Sequence, residues 1–175
     1  MELLNKLNAC QDAKLWASGK TLSQAWQECQ RADWMLWLLG RSSINKKTIA
    51  TIAVEFAEAC AHNAKDYPAV AQCIAVVKRF LAGEATQEEL AAAESSAWSA
   101  VLAAESAEES AARAAALAAE SAVLAARLAA DSAELAARLA ALAAGAAAES
   151  ANCEIIRKHV SADEICKLFR KDGEK

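Results

Sequence analysis

The chain predicts an all-α fold: an N-terminal multi-helix bundle, then a very long alanine-rich helix, curved or supercoiled to the right, then a short C-terminal helix. Three observations predict it. Residues 85–151 are nearly half alanine, with no proline and a single glycine, Gly145; alanine is the best helix former because ordering it costs no side-chain entropy. Elsewhere, apolar residues recur at spacings of three and four between capping signals. No segment reads as a credible strand. The organisation that follows is a helical domain over 1–84, the alanine-rich repeat over 85–151 and a helical cap over 152–175.

In order, residues 2–17 read as a first helix, with Leu3, Leu7 and Cys10 on one stripe and Gly19 at a C-cap position. Thr21 and Gln24 form a capping box that opens a second helix carrying Trp26 and Cys29. The third centres on Asp33-Trp34-Met35-Leu36-Trp37-Leu38-Leu39 and stops at Gly40. Consecutive large apolar residues cover every face of a helix, so this one is either central to a core or part of a sticky surface; burial is the favoured reading, with Trp26, Trp34, Trp37 and Leu38 as core residues. Arg31 and Asp33 flank it as a cap or a pair. A fourth helix runs from Asn45 to about Lys65, with Ile49, Ile52, Phe56 and Cys60 at helical spacing. Pro68 starts a fifth, bearing Val70, Cys73, Val77 and Leu81 and ending at Gly83. Thr86 with Glu89 launches the alanine-rich helix; Ser161 with Glu164 opens the last one, which carries Ile165, Leu168 and Phe169.

The alanine-rich segment contains a repeat. Glu94 and Glu105 are eleven residues apart, and after a step of four Glu109, Glu120 and Asp131 continue at elevens. Eleven residues make three turns at about 3.67 per turn, a period that drifts into a right-handed supercoil. Charged residues then share a stripe roughly 100° wide, flanked by Leu102, Leu117, Leu124, Leu128, Leu135 and Leu139. The remaining circumference is almost bare alanine, about twice the stripe a surface helix buries, which calls for neighbours on more than one side. Serines such as Ser95, Ser106 and Ser121 follow the acids along one edge, where bonding to the carbonyl one turn back can add curvature. A straight rod of this length needs oligomeric partners. Hairpins need turns, and nothing between Thr86 and Gly145 looks like one. A steadily curving helix is the favoured path, and the choice between monomer and homo-oligomer stays open.

Composition excludes several functions. The net charge of −4 divides into −7 for residues 85–151 (ten acids, three arginines) and +3 for the rest (thirteen acids, sixteen bases). No basic cluster or aromatic-basic face marks a nucleic-acid groove. Charges interrupt the alanine tract too often for a membrane span, and MELLNKLNAC lacks the plan of a secretory signal. Six scattered cysteines within helical patterns suit reduced core thiols in a cytoplasmic protein. Cys60 and His62 fall on opposite sides of a helix, and His159 has no cysteine at zinc spacing. Regularly repeated carboxylates with arginine neighbours, Glu109 to Arg113 and Glu134 to Arg138, describe a solvated face rather than an acid–base pair. No catalytic residue, cofactor or metal site is expected, and an enzyme is not.

Three segments carry a resemblance: the block Ala25-Trp26 through Cys29, Arg31 and Asp33-Trp34-Met35-Leu36-Trp37-Leu38-Leu39; the junction Phe80-Leu81-Ala82-Gly83-Glu84-Ala85-Thr86-Gln87-Glu88-Glu89-Leu90-Ala91-Ala92-Ala93; and the tail Cys153-Glu154-Ile155-Ile156-Arg157-Lys158. In this order around an alanine-rich repeat, they resemble the immunity-protein family assigned to bacterial and phage polymorphic toxin systems. The resemblance implies a protein that neutralises a toxin or effector by stoichiometric binding. The repeats associated with that family are often rich in Trp and Arg; here Leu and Glu take those places and one tryptophan, Trp98, is kept. An acidic stripe suits a basic target, and Glu105, Glu109, Glu120, Arg127, Asp131 and Glu134 are its candidate partner-binding residues. The alternative is a structural scaffold or oligomerisation element in which helix length matters more than surface.

Overall fold

The computed structural model describes residues 2–106, 110–128 and 149–171, and among them every regular element is helical. These are α1 (Glu2–Lys6), α2 (Gln11–Trp16), α3 (Leu22–Glu28), α4 (Ala32–Gly40), α5 (Lys46–Cys60), a 3₁₀ turn (Ala61–Ala64), α6 (Pro68–Ala82), α7 (Gln87–Ser106), α8 (Ser110–Leu128), α9 (Glu149–His159) and α10 (Ala162–Lys171).

The punctuation read from the sequence is formed. At each of three helix starts the hydroxyl accepts the N–H three residues on, while the side chain there accepts the N–H of the capping residue. The pairs are Thr21 with Gln24, Thr86 with Glu89 and Ser161 with Glu164, at 2.8 to 3.2 Å. Gly83 closes α6 at φ 82°, a left-handed cap in which the Glu84 N–H reaches the Arg79 carbonyl at 2.8 Å.

Two short-range expectations need correction. The helix expected over 2–17 is two helices, because Asn8 turns left-handed at φ 56° and the Ala9 N–H bonds the Leu4 carbonyl at 2.9 Å. Asparagine tolerates that region better than most residues, so it serves as a glycine-like C-cap inside an otherwise helical pattern. The fourth helix ends as α-helix at Cys60 rather than near Lys65, tightening into the 3₁₀ turn before Pro68.

The larger correction concerns the alanine-rich segment. Its residues 87–128 do not form one very long curved helix: α7 and α8 pack against each other. An ion pair joins Arg127 Nη1 to Glu94 Oε2 at 2.5 Å, across 33 residues. On one straight helix those residues would stand about 50 Å apart. Because α8 begins at Ser110, only four residues after α7 ends at Ser106, the pair makes α7 and α8 antiparallel, a hairpin that no turn signal in the sequence announces. The reason is energetic. Alanine favours helix by only a few tenths of a kcal/mol per residue over most alternatives, so ending a helix costs less than doubling back gains by covering its apolar sector. The rest of the expected long helix, 129–148, lies outside the described residues.

The wide alanine sector has the neighbours it required. α8 packs on α5, α6, α7 and the 3₁₀ turn together. Ala115, Ala116, Ala118, Ala119, Ala122 and Ala126 are all buried, with Val123 the one larger side chain among them. α9 packs on α4 and α5, and α10 on α3, so a single apolar core runs from Trp26 through α8 to Ile165. Of the four residues expected in that core, Trp26 and Leu38 are buried. Trp34 and Trp37 are only half-buried, because α4 turns Met35, Leu36 and Leu39 inward and leaves these two rings on its outer side, where Trp16 of α2 meets Trp34.

Close packing around α8 yields a direct prediction. Ala119→Leu inserts three heavy atoms where no space exists and should destabilise the fold by about 1–3 kcal/mol. Ala92→Leu, on the exposed side of α7, should change stability by less than about 0.5 kcal/mol. Urea denaturation of both variants separates the two sites.

Candidate functional site

Two surfaces concentrate chemistry, and the first is the outer face of the α7–α8 pair. Glu94, Trp98 and Leu102 stand one turn apart along α7, and Leu117, Glu120 and Arg127 line the outer side of α8. The Glu94–Arg127 pair places both rows on the same side. Trp98 is 48% exposed and Leu102 50%, an apolar strip along α7, and Leu117 on α8 is 36% exposed. Ser121 donates to the Leu117 carbonyl at 2.8 Å, the back-bonding expected of the serine edge.

This face holds one carboxylate disfavoured in its charged form. Glu120 is half-buried, and its pKa is raised first by that burial and then by the negative charge of Glu94. The same two carboxylates add to burial beneath them, where the Cys73 thiol is pushed up to about 12. α7 carries four glutamates and no basic residue. Of the partner-binding residues chosen from the sequence, the structure thus brings Glu120 and Arg127 together. Glu105 lies in α7, with nothing described of its side chain. Glu109, Asp131 and Glu134 lie outside the described residues. Trp98, Leu102 and Leu117 were missed as site residues; their signal was a lone tryptophan in an alanine tract.

The second surface is a cleft of about 550 Å³ walled by α1 to α4, with the rings of Trp16, Trp26, Trp34 and Trp37 on its lining. Trp16 and Trp34 meet at 5.9 Å between centroids and 60° between planes. Lys20 sits 3.8 Å over Trp16, Arg31 4.8 Å over Trp34 and Arg41 5.6 Å over Trp37. Arg31 also grips Asp33 in a two-pronged bond at 2.9 and 2.7 Å, which holds the Asp33 carboxyl below its ordinary range. Sequence spacing could not assemble this cleft, since its walls come from four helices and depend on the break at Asn8.

The C-terminal tail fixes the floor of the cleft. Trp26 Nε1 donates to the Val160 carbonyl at 2.9 Å. Arg157 donates through Nε to the Trp26 carbonyl at 3.2 Å and through Nη2 to the Cys29 carbonyl, covering carbonyls at the C-terminal end of α3. One turn away, Glu55 accepts from His159 at 2.8 Å and Lys158 at 3.1 Å. Burial works to raise its pKa, but these bonds and charges prevail and hold it low.

Cys10, on the lining of the cleft, is exposed; Cys29, Cys60, Cys73 and Cys153 are buried, and burial raises the first three of these. His62 is exposed with its ring against the Ala59 carbonyl, away from the buried Cys60. Among the described residues no His, Cys, Asp and Glu gather as metal ligands, and no helix is long and apolar enough to cross a membrane. No known family, curated protein or solved structure matches the chain.

Glu120 gives a prediction with a definite sign. A carboxyl whose folded pKa is raised favours the folded state in full below its unfolded pKa and loses that contribution as pH rises through the folded value. Glu120→Gln should therefore raise the melting temperature at pH 7, by less than about 4 °C given solvent screening. The gain should vanish below about pH 4. A melting temperature that is unchanged or lower at pH 7 contradicts the charge arrangement.

Proposed function

We propose that this chain is a non-enzymatic binding protein that neutralises a toxin or other effector by stoichiometric occlusion, using the outer face of α7 and α8. The observation that carries the reading is Trp98, half-exposed on the α7 side of the face that also holds Glu120, a carboxylate raised first by burial. Tryptophan dominates binding hot spots because its large rigid surface loses little entropy when covered. A half-buried glutamate of raised pKa is released from its penalty when a cation meets it. Together they fit a protein partner with a basic patch bordering an apolar pocket. The resemblance of the tryptophan block, junction and tail to immunity proteins supports the same role.

Self-association through this strip is a second reading, favoured by the clustering of Trp98, Leu102 and Leu117. It is the weaker one: two copies meeting α7 to α7 would oppose four glutamates with four more.

Co-expression with a toxic effector encoded beside the gene should restore growth, and light scattering should show one copy of each chain in the complex. Trp98→Ala should weaken that complex by about 2 kcal/mol, roughly thirtyfold in Kd. Glu120→Lys should weaken it most at low salt. Failure to protect against every such effector, or variants that bind like the parent, defeats the reading; a homodimer lost in Trp98→Ala would establish the second one.

A further inference from the structure

We propose that the cleft between α1, α2, α3 and α4 is a binding site for an uncharged aromatic small molecule. It belongs to different helices from the α7–α8 face and does not depend on the role assigned there.

Its volume of about 550 Å³ falls in the range of small-molecule sites and exceeds what a single inserted side chain would fill. The walls supply stacking surface. Trp16 and Trp34 form a corner at 60°, a geometry that offers a flat guest one stacked and one edge-on contact. Trp26 is 2% exposed and its indole N–H is bound to the Val160 carbonyl, so it presents ring surface without an unmet donor. The cations beside Trp16 and Trp34 steady these rings rather than waiting for a ligand. Lys20 is paired with Glu28 at 2.9 Å, and Arg31 is held by Asp33.

Charge decides what the occupant is. The charged residues on the lining are Asp12, Lys20, Arg31 and Asp33, two of each sign. An anion or cation entering among the rings would lose hydration without a net opposite charge to replace it, whereas a neutral molecule loses little. A peptide is disfavoured on the same ground. Its amides would face helices whose own backbone groups are bonded internally, leaving buried donors and acceptors unmet. Of the two thiols on its lining, Cys10 is exposed and Cys29 is buried, raised by that burial and bonded to the Arg31 carbonyl at 3.4 Å.

The test uses two dyes that share a ring system. N-phenyl-1-naphthylamine is neutral, and 8-anilinonaphthalene-1-sulfonate is its anionic counterpart. The full chain should bind the neutral dye saturably, one per chain, with energy transfer from tryptophan. The sulfonate should bind at least about tenfold more weakly. Ala13→Phe fills the cleft without removing any native packing and should abolish binding of the neutral dye. Leu15→Ala, outside the lining and 63% exposed, should leave it intact. Absence of saturable binding by the parent chain, or a sulfonate that binds as well as the neutral dye, overturns the proposal whatever the variants do. So does a folded Ala13→Phe protein, by circular dichroism, that binds like the parent.

Discussion

The structure depends on how closely alanine lets helices approach. α8 has almost nothing larger than a methyl group on its buried sector, so α5, α6, α7 and the 3₁₀ turn must all come near its backbone to exclude water. Methyl-to-backbone packing of this kind gains dispersion and area from many small contacts rather than from large side chains. It also leaves no slack, since an extra heavy atom has nowhere to go. The larger residues stand where α5, α6 and α9 supply bulk, at Phe56, Ile49, Ile52, Val70, Val77 and Ile156.

A second constraint closes the molecule at its other end. Arg157 lies more than 125 residues from Trp26 and Cys29 in sequence yet bonds the carbonyls of both, with Val160 completing the clasp by accepting from the Trp26 indole. Arg157 covers carbonyls that the end of α3 leaves without intrahelical donors. The Glu55 carboxylate, holding Lys158 and His159, locks the same tail to α5. The tryptophan block and the C-terminal tail are thus the two halves of one joint. The cleft exists because that joint fixes Trp26 and α3 as its floor while α1 and α2 cover one side only.

The two candidate surfaces differ in the physics they offer. The α7–α8 face is open and acidic, with Glu120 held at a cost first by burial and then by the charge of Glu94, which suits a partner that brings positive charge of its own. The cleft is concave and aromatic, with two lining charges of each sign, which suits a guest that brings none. Burial raises the thiols of Cys29, Cys60 and Cys73, so these serve as core residues.

Local order was legible in the sequence, and its physical basis is local. Capping boxes at Thr21, Thr86 and Ser161, the left-handed Gly83, the proline opening α6 and the alanine preference for helix each involve residues within one turn. The demand of the alanine sector for more than one neighbour was also readable, because it follows from width alone. Where a helix stops when no residue forces it to stop is a different matter. Asn8 ends α1 because Ala9 and Leu4 can bond there, and the chain from α7 to α8 doubles back because pairing buries more apolar surface than a longer helix could. The exposure of Trp34, Trp37 and Trp98 was equally hidden, since a side chain is covered only if another helix arrives. The sequence by itself determined which residues are helical and how most helices begin; only tertiary structure decided which faces meet, because burial is a sum over distant neighbours whereas capping and propensity are settled within a turn.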